Sequence, residues 1–123
     1  IDGSSLNLLS TLGENGEFEL SKNKRYSIAK ICSLYDVTNK MPIGYVLGDS
    51  TDERQILLVK LMDSICVGSI SIADRGFFSQ EVVTAFNNRN LDFVFRVRCN
   101  LKIITDFIKM NINDSIIDYK LND

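Results

Sequence analysis

Two aspartates, Asp2 and Asp74, sit where carboxylates do chemistry. Asp74 closes the run Ser69-Ile-Ser-Ile-Ala-Asp74, and Gly76 then lets the backbone turn ahead of an amphipathic stretch. That puts an acid at the carboxyl end of a buried strand, the position where open α/β sheets bind and transform ligands. Taken alone, Asp74 reads first as an ordinary turn residue whose side chain satisfies free backbone N–H groups. Asp2, in an apolar-alternating stretch at the start of the chain, is the second acid that changes the balance. The sequence of 123 residues holds no histidine, so Ser-His-Asp, Cys-His and histidine-metal chemistries are excluded within it. Carboxylates, lysine, tyrosine and serine remain.

The elements that must position these acids follow from periodicity. Residues 1–10 alternate and then turn apolar, predicting a strand that carries Asp2. Residues 13–24 are polar and read as an exposed loop, with Lys22, Lys24 and Arg25 as a solvated cluster. Tyr26 to Val37 reads as a strand with Cys32 and Leu34 on one face and Ile31, Ser33, Tyr35 and Val37 on the other. Thr38 to Met41 turns the chain into a second strand opened by Pro42, the sole proline, where a missing N–H is tolerated. Ser50-Thr-Asp-Glu53 fits a capping box. The helix it opens carries Leu57, Leu58, Leu61, Met62 and Ile65 on one face. After the strand to Asp74, Ser79 is the expected N-cap of a helix with Val82, Val83 and Phe86 inward. Leu91 to Arg98 alternates as a strand, and a further helix is expected over Lys102 to Lys109.

Composition bounds the rest. With 45% hydrophobic and 24% charged residues, the chain reads as one globular domain. A formal charge of -2 advertises no global basic field, so any nucleic-acid contact is local. The three cysteines, Cys32, Cys66 and Cys99, form no CxxC pair and read as core residues of a reducing compartment. No apolar run approaches a membrane span. The expectation is a soluble, intracellular protein without a membrane partner, cytoplasmic if bacterial. The first residue is Ile, inside a strand, which predicts a fragment.

In a mixed sheet this strand order brings the first strand beside the fourth, and Asp2 near Asp74. Two close carboxylates repel unless a cation lies between them, and hard oxygen ligands suit magnesium or manganese. A phosphoacceptor receiver domain also ends a strand in Asp, but the hairpin before the first helix argues against it.

The stretches Asp2-Gly-Ser-Ser-Leu6, Leu34-Tyr-Asp-Val37, Asp52-Glu-Arg54, Ala73-Asp-Arg-Gly-Phe77 and Phe93-Val-Phe-Arg-Val97, in this order, resemble the DDE transposases of bacterial-type insertion sequences. Those share the RNase H-like fold with retroviral integrases. The resemblance implies an α/β fold with an RNase H-like mixed sheet: three antiparallel strands, then parallel ones, with flanking helices, incomplete at the C-terminus. Residues 1–98 would be a partial catalytic core and 99–123 the start of an insertion segment or a poorly ordered tail. Asp2 and Asp74 would be the first two acids of the triad, binding two Mg2+ or Mn2+ ions for cleavage and strand transfer of DNA.

The third acid, a Glu in a motif with Tyr, Arg and Lys, is not found. After Glu81 the chain offers Asp106, Asp114, Asp118 and Asp123 but no glutamate. The catalytic Glu is expected beyond residue 123, and the isolated chain is expected to be inactive. Arg75, Arg96 and Arg98 are candidate DNA contacts, weighed against ordinary solvated positions. Partners implied are transposon-end DNA and, in a full-length protein, a homodimer or higher synaptic complex. Two other readings stand beside this one: a repurposed RNase H-like module that binds DNA or a partner without chemistry, and a nuclease of the same fold acting on hybrids or junctions.

Overall fold

The computed structural model describes residues 1–16, 18–20 and 26–118. The cluster of Lys22, Lys24 and Arg25, and Asp123, lie outside the described residues. The elements in chain order are β1 (Asp2–Leu8), α1 (Ser10–Glu14), β2 (Ser27–Asp36), β3 (Met41–Asp49), α2 (Arg54–Leu61), β4 (Ile70–Ala73), α3 (Gln80–Asn88), β5 (Asp92–Phe95) and α4 (Lys102–Lys109). A 3-10 turn, Met62–Ser64, prolongs α2. β1, β2 and β3 form an antiparallel sheet in that order, and β4 pairs with β5 in parallel. This is the mixed α/β arrangement the pattern implies, built as two ladders.

The β2–β3 hairpin is fixed by its turn chemistry. The Asp36 carboxylate accepts from the backbone N–H groups of Asn39 and Thr38, each at 2.9 Å, and from the Asn39 side chain at 2.8 Å. These bonds, the Asn39 backbone bond foremost, hold Asp36 below the usual carboxylate range. Lys40 takes φ 56° to complete the turn. Pro42 is the second residue of β3, not the first, and lies opposite Tyr35 where the register shifts. An irregularity on an outer strand is where a missing N–H costs least.

The core lies between α2, α3 and one face of each sheet. Leu57, Leu58, Leu61 and Met62 are buried as their spacing predicts, against Cys32 and Leu34 of β2 and Phe77, Val82, Phe86 and Leu91 beyond. Ile65 packs at the edge of this cluster. Close approach of α2 to β3 depends on Gly48, where a Cβ would stand 2.6 Å from Leu57 Cδ2. Phe86 meets Phe93 and Phe95 edge-on, with centroids 5.3 and 5.6 Å apart. Among the described residues, no helix is long and apolar enough to cross a membrane.

The capping box is not formed. β3 runs on to Asp49, the helix opens at Arg54, and its N-cap Glu53 makes no side-chain cap bond. The turn is held instead by Asp52, whose carboxylate accepts from the Asp49 N–H at 2.8 Å. Its carbonyl accepts from Lys30 Nζ at 2.6 Å. Ser79 does cap α3, accepting from the Val82 N–H at 3.2 Å. Val82 and Phe86 are buried there and Val83 half-buried.

Part of the expected polar loop is helical. α1 packs on the face of β2 opposite α2, where Ser27 and Ala29 are buried and the Ser27 hydroxyl donates to the Leu9 carbonyl at 3.1 Å. β5 is shorter than its alternation suggests because its partner β4 ends at Ala73. A last bond, Arg96 N–H to the Ala73 carbonyl at 3.2 Å, closes the ladder. α4 spans the expected residues, and none of its side chains is fully buried.

Candidate active site

One hydrogen bond joins the beginning of β1 to β4: the Ile1 ammonium nitrogen donates to the Ile72 carbonyl at 2.8 Å. Further along, a Cβ on Gly3 would stand 3.0 Å from Phe77 Cζ. The two segments therefore leave the contact in the same direction, with Asp2 and Asp74 between its two points. Sidedness follows from strand alternation. Gly3 is opposite Cys32, which faces the α2 core, so Asp2, opposite Ser33, faces away. In β4, Ser71 and Ala73 are buried while Ile70 and Ile72 are exposed. Asp74 continues the exposed row. Both acids thus belong to the face that α2 and α3 leave uncovered.

Asp2 is exposed, and its Oδ1 accepts from the Gly3 N–H at 2.8 Å. The turn after β4 is closed by backbone, Phe77 N–H to Asp74 carbonyl at 3.0 Å. Among the described residues, no backbone N–H donates to the Asp74 carboxylate, so the turn-residue reading does not account for this side chain. Its Oδ1 stands 3.8 Å from Arg96 Nη1, with side chains 58% and 73% exposed. Such an exposed pair contributes roughly 0–1 kcal/mol and leaves the carboxylate available. Arg75 and Arg98 are exposed, and among the described residues neither side chain has an ion-pair partner.

Arg54, not among the expected DNA contacts, lies against both acid-bearing segments. A Cβ on Gly76 would stand 3.3 Å from Arg54 Nη1, and one on Gly3 3.6 Å from Arg54 Cδ. Gln55 beside it donates from Nε2 to the Gly76 carbonyl at 2.8 Å, tying α2 to the loop after Asp74. The only signal in the sequence was its place in Asp52-Glu-Arg54. Behind β1, burial pushes the Cys32 thiol up to about 11. Asp2 pushes it up and Arg54 pulls it down, so both residues lie within electrostatic reach of this thiol.

Two exposed carboxylates supply hard oxygen donors suited to a divalent cation. Among the described residues, no group of three or more His, Cys, Asp or Glu gathers at one place. Asp106 stands 3.9 Å from Lys109 within α4, and Asp114 and Asp118 are exposed in the segment after it. A groove of about 590 Å³ opens between β4 and the end of β2, lined by Leu34, Tyr35, Ile43, Ile70 and Ile72, and neither acid lines it.

A family model described as a transposase DDE domain matches residues 1–120. No curated protein and no solved structure matches the chain.

Proposed function

The chain belongs to the transposase DDE domain family, which implies transposition-related cleavage of DNA, and from that premise we propose that Asp2 and Asp74 are its first two catalytic acids. The observation that carries this reading is the Ile1–Ile72 hydrogen bond, which holds the two acid-bearing segments side by side. Their carboxylates would hold Mg2+ or Mn2+, two ions in the complete site. Bound there, such ions would supply polarisation of an attacking oxygen and charge stabilisation of a leaving oxygen at a phosphodiester.

The chain's own residues position. Asp2 and Asp74 fix the metal from one face, and β1 and β4 hold their separation. Arg96, 3.8 Å from Asp74, neutralises part of its charge. Arg75, Arg96 and Arg98 contribute local contacts to DNA phosphates, which a chain of charge -2 cannot attract globally. Residues 1–98 act as the catalytic core and 99–123 begin an inserted segment. Among the described residues no third acid joins the pair, and a synaptic assembly on transposon ends would complete the machine. The absence of a third ligand among the described residues also favours a second reading, a DNA-binding module without chemistry.

Manganese titration followed by calorimetry or electron paramagnetic resonance tests the proposal. The chain is expected to bind Mn2+, and Asp2→Asn and Asp74→Asn are each expected to weaken that binding by about tenfold or more. Unchanged binding in both variants removes the site.

A further inference from the structure

We infer that Arg54 is a DNA-binding residue, holding a phosphate next to the one that Asp2 and Asp74 act on. This rests on the reading of the two aspartates as the cleavage site and adds the residue that sets the register of the strand across it. The Arg54 side chain lies over two glycines, its stem against Gly3 and its guanidinium against Gly76. Gly3 follows Asp2, and Gly76 is in the loop that Asp74 opens. A side chain at Gly76 would crowd the Arg54 guanidinium, 3.3 Å from the Cβ position, whereas one at Gly3 would meet the Arg54 stem only in ordinary contact at 3.6 Å.

Arg54 is close to both acids in the chain's path yet, among the described residues, bonds to neither carboxylate and has no ion-pair partner. Asp74 is taken instead by Arg96 at 3.8 Å, and Asp2 accepts from Gly3. An exposed cation at the rim of an acidic site, without a carboxylate of its own, is matched by an anion from outside. Its side is informative. The acids face away from α2, whereas Arg54 comes from the first turn of α2 and reaches the Gly76 loop, so a strand that meets the acids would reach Arg54 by passing round the edge of the sheet at that loop. A phosphodiester chain offers anions at regular intervals, and a planar fork with parallel N–H donors fits a phosphate bidentately. Gln55 donates to the Gly76 carbonyl at 2.8 Å and ties the first turn of α2 to that loop.

The test uses the 123-residue chain, a fluorescent DNA duplex and anisotropy titrations at several salt concentrations. Arg54→Ala is expected to reduce the slope of log affinity against log salt by about one. Arg54→Lys should restore most of that slope and Arg54→Gln should not, a pattern that a purely structural role does not produce. Manganese binding is measured on the same variants. An unchanged slope in Arg54→Ala with manganese binding intact overturns the inference and spares the proposed function. Manganese binding that ignores Asp2→Asn and Asp74→Asn, with the Arg54 slope effect present, sinks the metal site and leaves a phosphate contact. A wild-type chain with no salt-dependent DNA binding overturns the inference outright.

Discussion

Ile1 and Ile72 share one hydrogen bond, 2.8 Å from ammonium nitrogen to carbonyl oxygen, and it is the link on which the candidate site depends. The antiparallel sheet carries Asp2 and the parallel pair carries Asp74, and each ladder is complete without the other. The core under α2 and α3 brings the ladders together, and this bond fixes their alignment.

The two-acid site predicts a specific failure. The purified 123-residue chain, given Mg2+ or Mn2+ and supercoiled plasmid, is expected to leave the DNA uncut, since the described residues gather no third ligand. Metal-dependent nicking that Asp74→Asn abolishes would show that two acids suffice.

Leu58 is fully buried between α2 and the sheets. Leu58→Ala is expected to cost about 2–5 kcal/mol, the transfer term plus the cavity left behind, read as a lower urea midpoint. A cost below about 1 kcal/mol would place the core elsewhere.

The two serines once read alike should behave differently. Ser79→Ala removes a cap from α3 and is expected to cost about 1 kcal/mol. Ser50→Ala removes no side-chain cap from α2 and is expected to fall within about 0.5 kcal/mol of the parent. Equal losses in chemical denaturation would reinstate the capping box.

Cys32 gives a pH signature. Burial raises its thiol from 9.0 to about 11, so the unfolded chain loses this proton at lower pH than the folded one. The linked stability is whole below about pH 9 and declines as pH rises towards 11. In Cys32→Ala that part of the decline should vanish from the thermal midpoint. Native-state alkylation at pH 8 should modify Cys66 and Cys99, which are exposed, and spare Cys32.

Legibility tracked periodicity. The α2 stripe and the alternation through Asp74 and from Leu91 to Val97 could be read because each residue's environment repeats along its own element. α1 could not, because five residues including Gly13 have little intrinsic helical preference and are held by packing on Ser27 and Ala29 of a later strand. The start of α2 was misread because Asp52 spends its side chain on the Asp49 N–H, a local competition that composition does not reveal. At the site, both acids could be singled out by type and strand position. The convergence of Arg54 on Gly3 and Gly76 is a tertiary fact with no local signature.

The first turn of α2 is pinned twice, by Lys30 reaching the Asp52 carbonyl just before it and by Gln55 reaching the Gly76 carbonyl. The helix is therefore a shim wedged between the mounts of the two aspartates. Thickening or thinning it at Leu57 or Leu58 would change the gap between carboxylates that neither residue touches. Mg2+ demands near-ideal octahedral geometry whereas Ca2+ accepts looser and longer contacts, so on the proposed reading of the two aspartates as metal ligands, ion preference would be tuned from inside the core.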